Sequence, residues 1–355
     1  MKRFTLSKKW IFWGVNSLLA LLAAVCLAVQ GAVCSALPTL NAANTWAGES
    51  GQPFAQLACY LPNDKLLPEE DVWKFRQTVD TKLIEAALEA PENGSLYTDA
   101  YVGFGTLTVS GPRGSAEVKA AGVGGDFFRF HPLQLRSGSY LSESDLMKDR
   151  VVLDEELAWK LFGGMDLTGL TVTIGTADFY VAGVVSREDD RYSGLAYTDG
   201  AGMFLSYPAL KKCVETVGIS CYEIVLPDPI TAFGKNLVQE NFPLNGGVVV
   251  ENSDRYSFGN LLTVAGDFGL RSMGLNGIIY PYWENAVRLT EDYAALLLVL
   301  TVLFAALPAV SVTVTVVRRT RKLWKAVVGT VKTKTADRIE RRREEKWQVV
   351  NEKRE

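Results

Sequence analysis

Two long runs without a charged side chain bracket most of this chain. Trp10 to Val33 is 24 uncharged residues, and Tyr293 to Val317 is 25. A helix rises about 1.5 Å per residue, so either run is long enough to cross a hydrocarbon core of about 30 Å. A chain built this way is expected to be anchored in a membrane twice, with a domain of its own between the anchors.

The placement of charge orients it. Four basic residues (Lys2, Arg3, Lys8, Lys9) and no acid precede Trp10, and from Arg318 onward fourteen Lys and Arg stand against six Asp and Glu. The part between holds nineteen basic and thirty-four acidic residues. By the positive-inside rule both termini are cytoplasmic and the acidic middle lies outside. The expected organisation is a basic cytoplasmic start at 1–9, transmembrane helices at 10–33 and 293–317, an external domain at 34–292, and a charged cytoplasmic tail at 318–355. Trp10 and Trp13 at the inner end of the first run, and Tyr280, Tyr282, Trp283 and Tyr293 near the outer end of the second, suit interfacial belts. The first run could instead be a signal sequence cleaved near Cys34-Ser35-Ala36; its length favours an uncleaved anchor.

The external segment reads as short strands and helices in alternation. Phe54 to Leu61 is a strand. Pro68 with Glu69, Glu70 and Asp71 opens a helix on which Val72, Phe75, Val79 and Leu83 recur at helical spacing. Pro91-Glu92-Asn93-Gly94 ends it, and Asn93-Gly94-Ser95 matches a glycosylation sequon. Tyr97 to Val109 and Ala116 to Val123 form a hairpin about Gly111-Pro112-Arg113-Gly114. Phe127 to Leu135 reads as an extended segment with a turn at Ser137-Gly138, and Val151 to Leu153 as a buried strand. Asp154 is a candidate N-cap for a helix lined by Leu157, Ala158, Leu161 and Phe162, stopped at Gly163-Gly164. Leu170, Val172 and Ile174 pair across a turn with Phe179 and Val181. Ser186 to Gly202 is a charged loop whose Glu188, Asp189 and Asp190 lack calcium-loop spacing. A strand at 202–205, a helix at 208–217, a strand at 221–226, a helix marked by Ile230, Phe233 and Leu237, and a strand at 247–251 follow. Ser253 to Leu275 is a polar connector, and 276–291 leads into the membrane. Strands and helices in this order give an α+β class.

Few chemistries are open to such a chain. There is no Gly-x-Ser-x-Gly elbow, no phosphate-binding loop and no His-Glu-x-x-His. The single His131 cannot build a zinc site with a second histidine. No cofactor, catalytic set, metal site or nucleic-acid partner is expected. Cys213 and Cys221 are a candidate disulfide in an oxidising exterior, and free buried thiols are the alternative.

The stretch from Gly122 to Val185 resembles the extracytoplasmic core domain of the MacB/FtsX family of ABC-transporter permeases. The resemblance rests on Gly122 with Asp126-Phe127-Phe128, Gly138, Val151 to Leu153, Glu156 to Gly163, Gly169 to Ile174 and Phe179 to Val185, in that order. It implies two small subdomains, one formed from both ends of the domain and the other inserted between them, in a bacterial cytoplasmic membrane. It also implies a non-catalytic subunit that couples a separate cytoplasmic ABC ATPase to the outer domain, in contact with the lipid bilayer. Similarity at the membrane exit places the ATPase contact on Arg318, Arg319, Arg321, Lys322, Trp324 and Lys325. The acidic residue that the family carries there is absent, and the same residues read equally as a basic stop-transfer flank. Full members have four spans and this chain two, so the resemblance leaves three alternatives: a partner to a fuller permease, an assembly of several copies of itself, or a truncated remnant. The same layout fits a two-span sensory or ligand-binding protein.

Overall fold

In the computed structural model, residues 8–48, 52–88, 94–197, 202–271, 274–275 and 277–352 are described. Asn93 of the sequon lies outside them. The chain divides into two compact units, one holding the first helix up to Val29 with the chain from Leu297, the other Gln30–Leu296.

The first unit is helical. Helix α1 spans Lys8–Cys34 and contains the first uncharged run; α10 spans Tyr282–Glu352 and contains the second. These two are the helices long and apolar enough to cross a membrane among the described residues. Trp10 (73% exposed), Leu21 and Leu303 (65%) point outward, as side chains facing lipid must. Asn16 returns its amide to the Phe12 carbonyl at 2.8 Å, satisfying that donor inside its own helix. Pro308 falls inside α10 without ending it, a substitution membrane helices tolerate.

The second unit is built on one ten-stranded sheet. Its strands are β1 (Phe54–Tyr60), β2 (Thr98–Gly111), β3 (Gly114–Gly125), β4 (Leu135–Gly138), β5 (Arg150–Asp154), β6 (Thr171–Ile174), β7 (Ala177–Val185), β8 (Met203–Ser206), β9 (Cys221–Pro227) and β10 (Val248–Glu251). They run in the order β10-β1-β9-β2-β3-β8-β5-β7-β4, with β6 against β2 and β7. The nesting implied by the resemblance is visible: β1, β2, β3, β9 and β10 come from both ends of the domain, and β4 to β8 are inserted. The two parts are nevertheless continuous. Ala120 to Val123 of β3 pair in parallel with Met203 to Ser206 of β8, so one sheet passes through both.

Strand periodicity sorts the core onto two faces. Leu57, Cys59 and Leu61 face one way, where α3 (Glu69–Glu85), α5 (Glu155–Leu161), α7 (Tyr207–Cys213) and α8 (Phe233–Asn241) pack. The expected apolar stripe of α3, Val72, Phe75, Val79 and Leu83, is the one buried. Ala58 and Tyr60 face the other way, under α2 (Ala42–Ala47), α4 (Phe127–Phe130) and the start of α10. Asp154 caps α5 by accepting from the Leu157 amide at 2.7 Å.

Four expectations are corrected. Phe127 and Phe128 lie in the short helix α4 rather than an extended segment. Ile230 precedes α8 and is 73% exposed. The loop after β7 contains α6 (Arg191–Ala196), capped by Asp190. The polar connector contains α9 (Phe258–Gly266), followed by the small pair β11 (Gly274–Leu275) and β12 (Ile278–Ile279).

Candidate coupling site at the root of the last helix

Helix α10 begins inside the domain's second core, eleven residues before its uncharged run. Glu284, Val287 and Glu291 recur at intervals of three and four and are buried, so they share one face. That face carries carboxylates where a helix packed on a core would ordinarily carry apolar side chains.

The carboxylates are met by two arginines. Arg255, just after β10, places Nη2 2.5 Å from Glu284 Oε1 and Nε 3.3 Å from Glu291 Oε1. The Tyr60 hydroxyl of β1 donates to Glu284 Oε2 at 2.9 Å. Arg271 sits one step along the helix, with Nη2 2.5 Å from Glu291 Oε2 and Nε 2.7 Å from Asp292 Oδ1. Burial works against the Arg255 charge, but Glu284 and Glu291 hold its pKa above the ordinary value. Burial, with Glu284 beside it, pushes the Tyr60 phenol well above its usual range, so it stays a donor.

Three further contacts grip the same root. The Trp283 ring lies 4.4 Å from that of His131, whose Nε2 is 2.5 Å from Glu223 Oε2 on β9. Both members of that pair are buried. Tyr282 donates to Glu188 Oε1 at 3.0 Å and stacks on Tyr197 at 4.3 Å. Leu37, three residues past the end of α1, packs with Ala196, Ala286 and Val287. A cleft of about 300 Å³ lined by Ala196, Arg271, Asn285 and Arg288 lies beside this face. Two arginines opposed to three carboxylates make a joint that resists separation, and nothing in this set resembles a nucleophile with its base. Among the described residues no group of three or more His, Cys, Asp and Glu is placed to hold a metal ion.

The residues expected to contact an ATPase are elsewhere. Arg318, Arg319, Arg321, Lys322, Trp324 and Lys325 are all exposed on α10, in the other unit. Helical spacing sets Arg318, Arg321, Lys322 and Lys325 on one side, with Trp324 beside Arg321 at its edge. Cys213 and Cys221 carry free thiols. The disulfide is not formed because Cys213 packs against the core on one face of the sheet and Cys221 belongs to the core on the other. The buried joint was not among the candidates read from sequence. Its one local signal is the pair of acids seven residues apart, Glu284 and Glu291, directly before an uncharged run.

The model of the MacB-like periplasmic core domain matches residues 19–230. The chain belongs to that family. With its two apolar helices it is a membrane protein whose MacB-like domain is extracytoplasmic. It is similar to the macrolide export ATP-binding/permease protein MacB of Chromobacterium violaceum, 37% identical over 75 residues. That alignment covers 21% of this chain and 12% of the relative, so the chain spans a small part of that protein's length. Among solved structures it is similar to the periplasmic region of MacB from Actinobacillus actinomycetemcomitans, with TM-score 0.42 and 16% identity over 61% of this chain and 94% of that one. It is also similar to the extracellular domain of the noncanonic ABC-type transporter YknZ from Gram-positive bacteria, with TM-score 0.37 and 15% identity over 56% and 99% of the two chains. In this MacB-like chain the arginines of the joint, and the whole of α10, lie beyond residue 230, outside the part that the family model matches.

Proposed function

We propose that this protein is a membrane subunit of an ABC-type transport or mechanotransmission complex, coupling a separate cytoplasmic ATPase to its extracytoplasmic domain. The observation that carries the reading is α10 itself: one helix supplies the buried carboxylates of the joint and, further along, the exposed basic flank. Movement imposed on that flank would reach the domain through Glu284 and Glu291. On this reading both termini are cytoplasmic, nucleotide chemistry belongs to the partner, and the flank from Arg318 to Lys325 is the partner's contact. A fuller permease or further copies of this chain would complete the membrane assembly.

The test is purification of the tagged full chain from its native membrane in mild detergent, with and without Arg318, Arg319, Arg321 and Lys325 changed to Ala. An ABC ATPase is expected with the wild type and lost with the variant. Recovery of no ATPase, under conditions that keep a known permease complex intact, would overturn the reading and favour a sensory protein.

A further inference from the structure

The segment between β10 and α10 is too apolar on its outside for a face meant for water. Phe258 is 62% exposed, Leu262 48%, Phe268 42% and Leu270 73%. Phe258 and Leu262 are four apart on α9 and share a face, while Leu261 and Val264 turn inward and are buried.

The two ends of this segment are fixed to α10 at a definite height. At the near end the Tyr256 hydroxyl is 2.6 Å from Thr290 Oγ1. At the far end Arg271 meets Glu291 at 2.5 Å and Asp292 at 2.7 Å. Asp292 is the last charged residue before the 25 uncharged residues that begin at Tyr293. Both attachments therefore fall within the single helical turn that precedes the span, and α9 is held beside the point where α10 would enter lipid. At the first residue of the span, the Arg191 guanidinium lies 5.7 Å from the Tyr293 ring centre. Tyrosine is enriched where headgroups begin.

We infer that α9 and the turn after it form an interfacial anchor, in which Phe258, Leu262, Phe268 and Leu270 rest in the outer surface of the bilayer. A short helix lying in the plane of the interface buries one apolar face at the headgroup and acyl boundary, and the exposed residues here match that demand. The occupant is lipid because the segment that carries these side chains is fastened at both ends to the last charged turn before the span. This inference rests on the span at Tyr293 and is independent of any ATPase.

The test uses the full chain in phosphatidylcholine nanodiscs, with p-benzoylphenylalanine replacing Phe258, Leu262 or Leu270 one at a time, irradiated and examined by mass spectrometry. Trp159, exposed to 52% on α5, is the control position. Lipid adducts are expected at the three sites at about tenfold the control level, as for residues seated in the interface. Adducts no more frequent than at Trp159, or cross-links to a second copy in their place, would overturn the inference. Because each position is tested separately, a variant that fails to reconstitute leaves two others to decide.

Discussion

The Arg255 guanidinium meets the Glu284 carboxylate at 2.5 Å, with the two side chains only 4% and 3% exposed. Charges so far from water are tolerated only as a set, and this one takes in Glu291 and the Tyr60 hydroxyl as well.

Removing one member should therefore cost more than removing two. Arg255→Met leaves Glu284 charged and buried, and is expected to destabilise the domain by about 3–5 kcal/mol. Arg255→Met combined with Glu284→Leu is expected to recover at least half of that loss. Chemical unfolding of the full chain in nanodiscs, followed by near-ultraviolet circular dichroism, measures both. A double variant as unstable as the single one would count against the network as described.

A second pair, partly buried, gives a pH signature. Arg76 holds both carboxylate oxygens of Asp99 at 2.8 Å, and the Tyr222 hydroxyl donates to the same group at 3.0 Å. Burial outweighs these partners and raises the Asp99 pKa above its ordinary 3.8. The native state then takes up the proton at a higher pH than the unfolded chain. Its contribution to stability is fully present below the ordinary aspartate value and is lost as pH rises through the folded one. Asp99→Asn removes that titration. As pH falls from neutrality toward that ordinary value the wild type should gain stability relative to the variant. A stability difference that stays flat across this range would show that burial does not dominate.

Gly138 is required by geometry. Its φ is +74°, and a Cβ there would lie 2.0 Å from the Ala182 carbonyl oxygen of β7. Gly138→Ala is expected to cost about 2 kcal/mol or more, since the backbone must shift and the left-handed conformation becomes strained. Gly164→Ala, where a Cβ would meet nothing within 4 Å, serves as the near-neutral comparison. Equal unfolding midpoints for the two variants would contradict the geometry.

Much of the fold could be read locally. The α3 stripe, the Asp154 cap and the hairpin of β2 with β3 depend on residues a few positions apart, and each forms where its pattern lies. The failures have two causes. Helix α4 is four residues long and α9 nine, too short for periodicity to separate from a loop, and α9 contains Gly259 and Gly266 as well. Contacts across the chain leave little local trace, for the joint only the two acids Glu284 and Glu291 on one helix. Tyr60 and Glu284 stand 224 positions apart, so the joint forms only once β1 and α10 are side by side. The motif glycines are the opposite case: Gly138 and Gly122 were legible as residues, and the structure supplies the reason, since a Cβ at Gly122 would lie 2.7 Å from the Leu210 side chain.

The parallel seam between β3 and β8 also bears on how the domain can be dissected. Residues 127–206 look removable in chain order, since they hold β4 to β8 and lie wholly between β3 and β9. Cutting them out would strip β3 of the partner that covers Ala120 to Val123, leaving a bare strand edge on a small, apolar run. Such an edge is a template for pairing with another chain, so the outer half depends on the inserted one for its solubility as well as its shape.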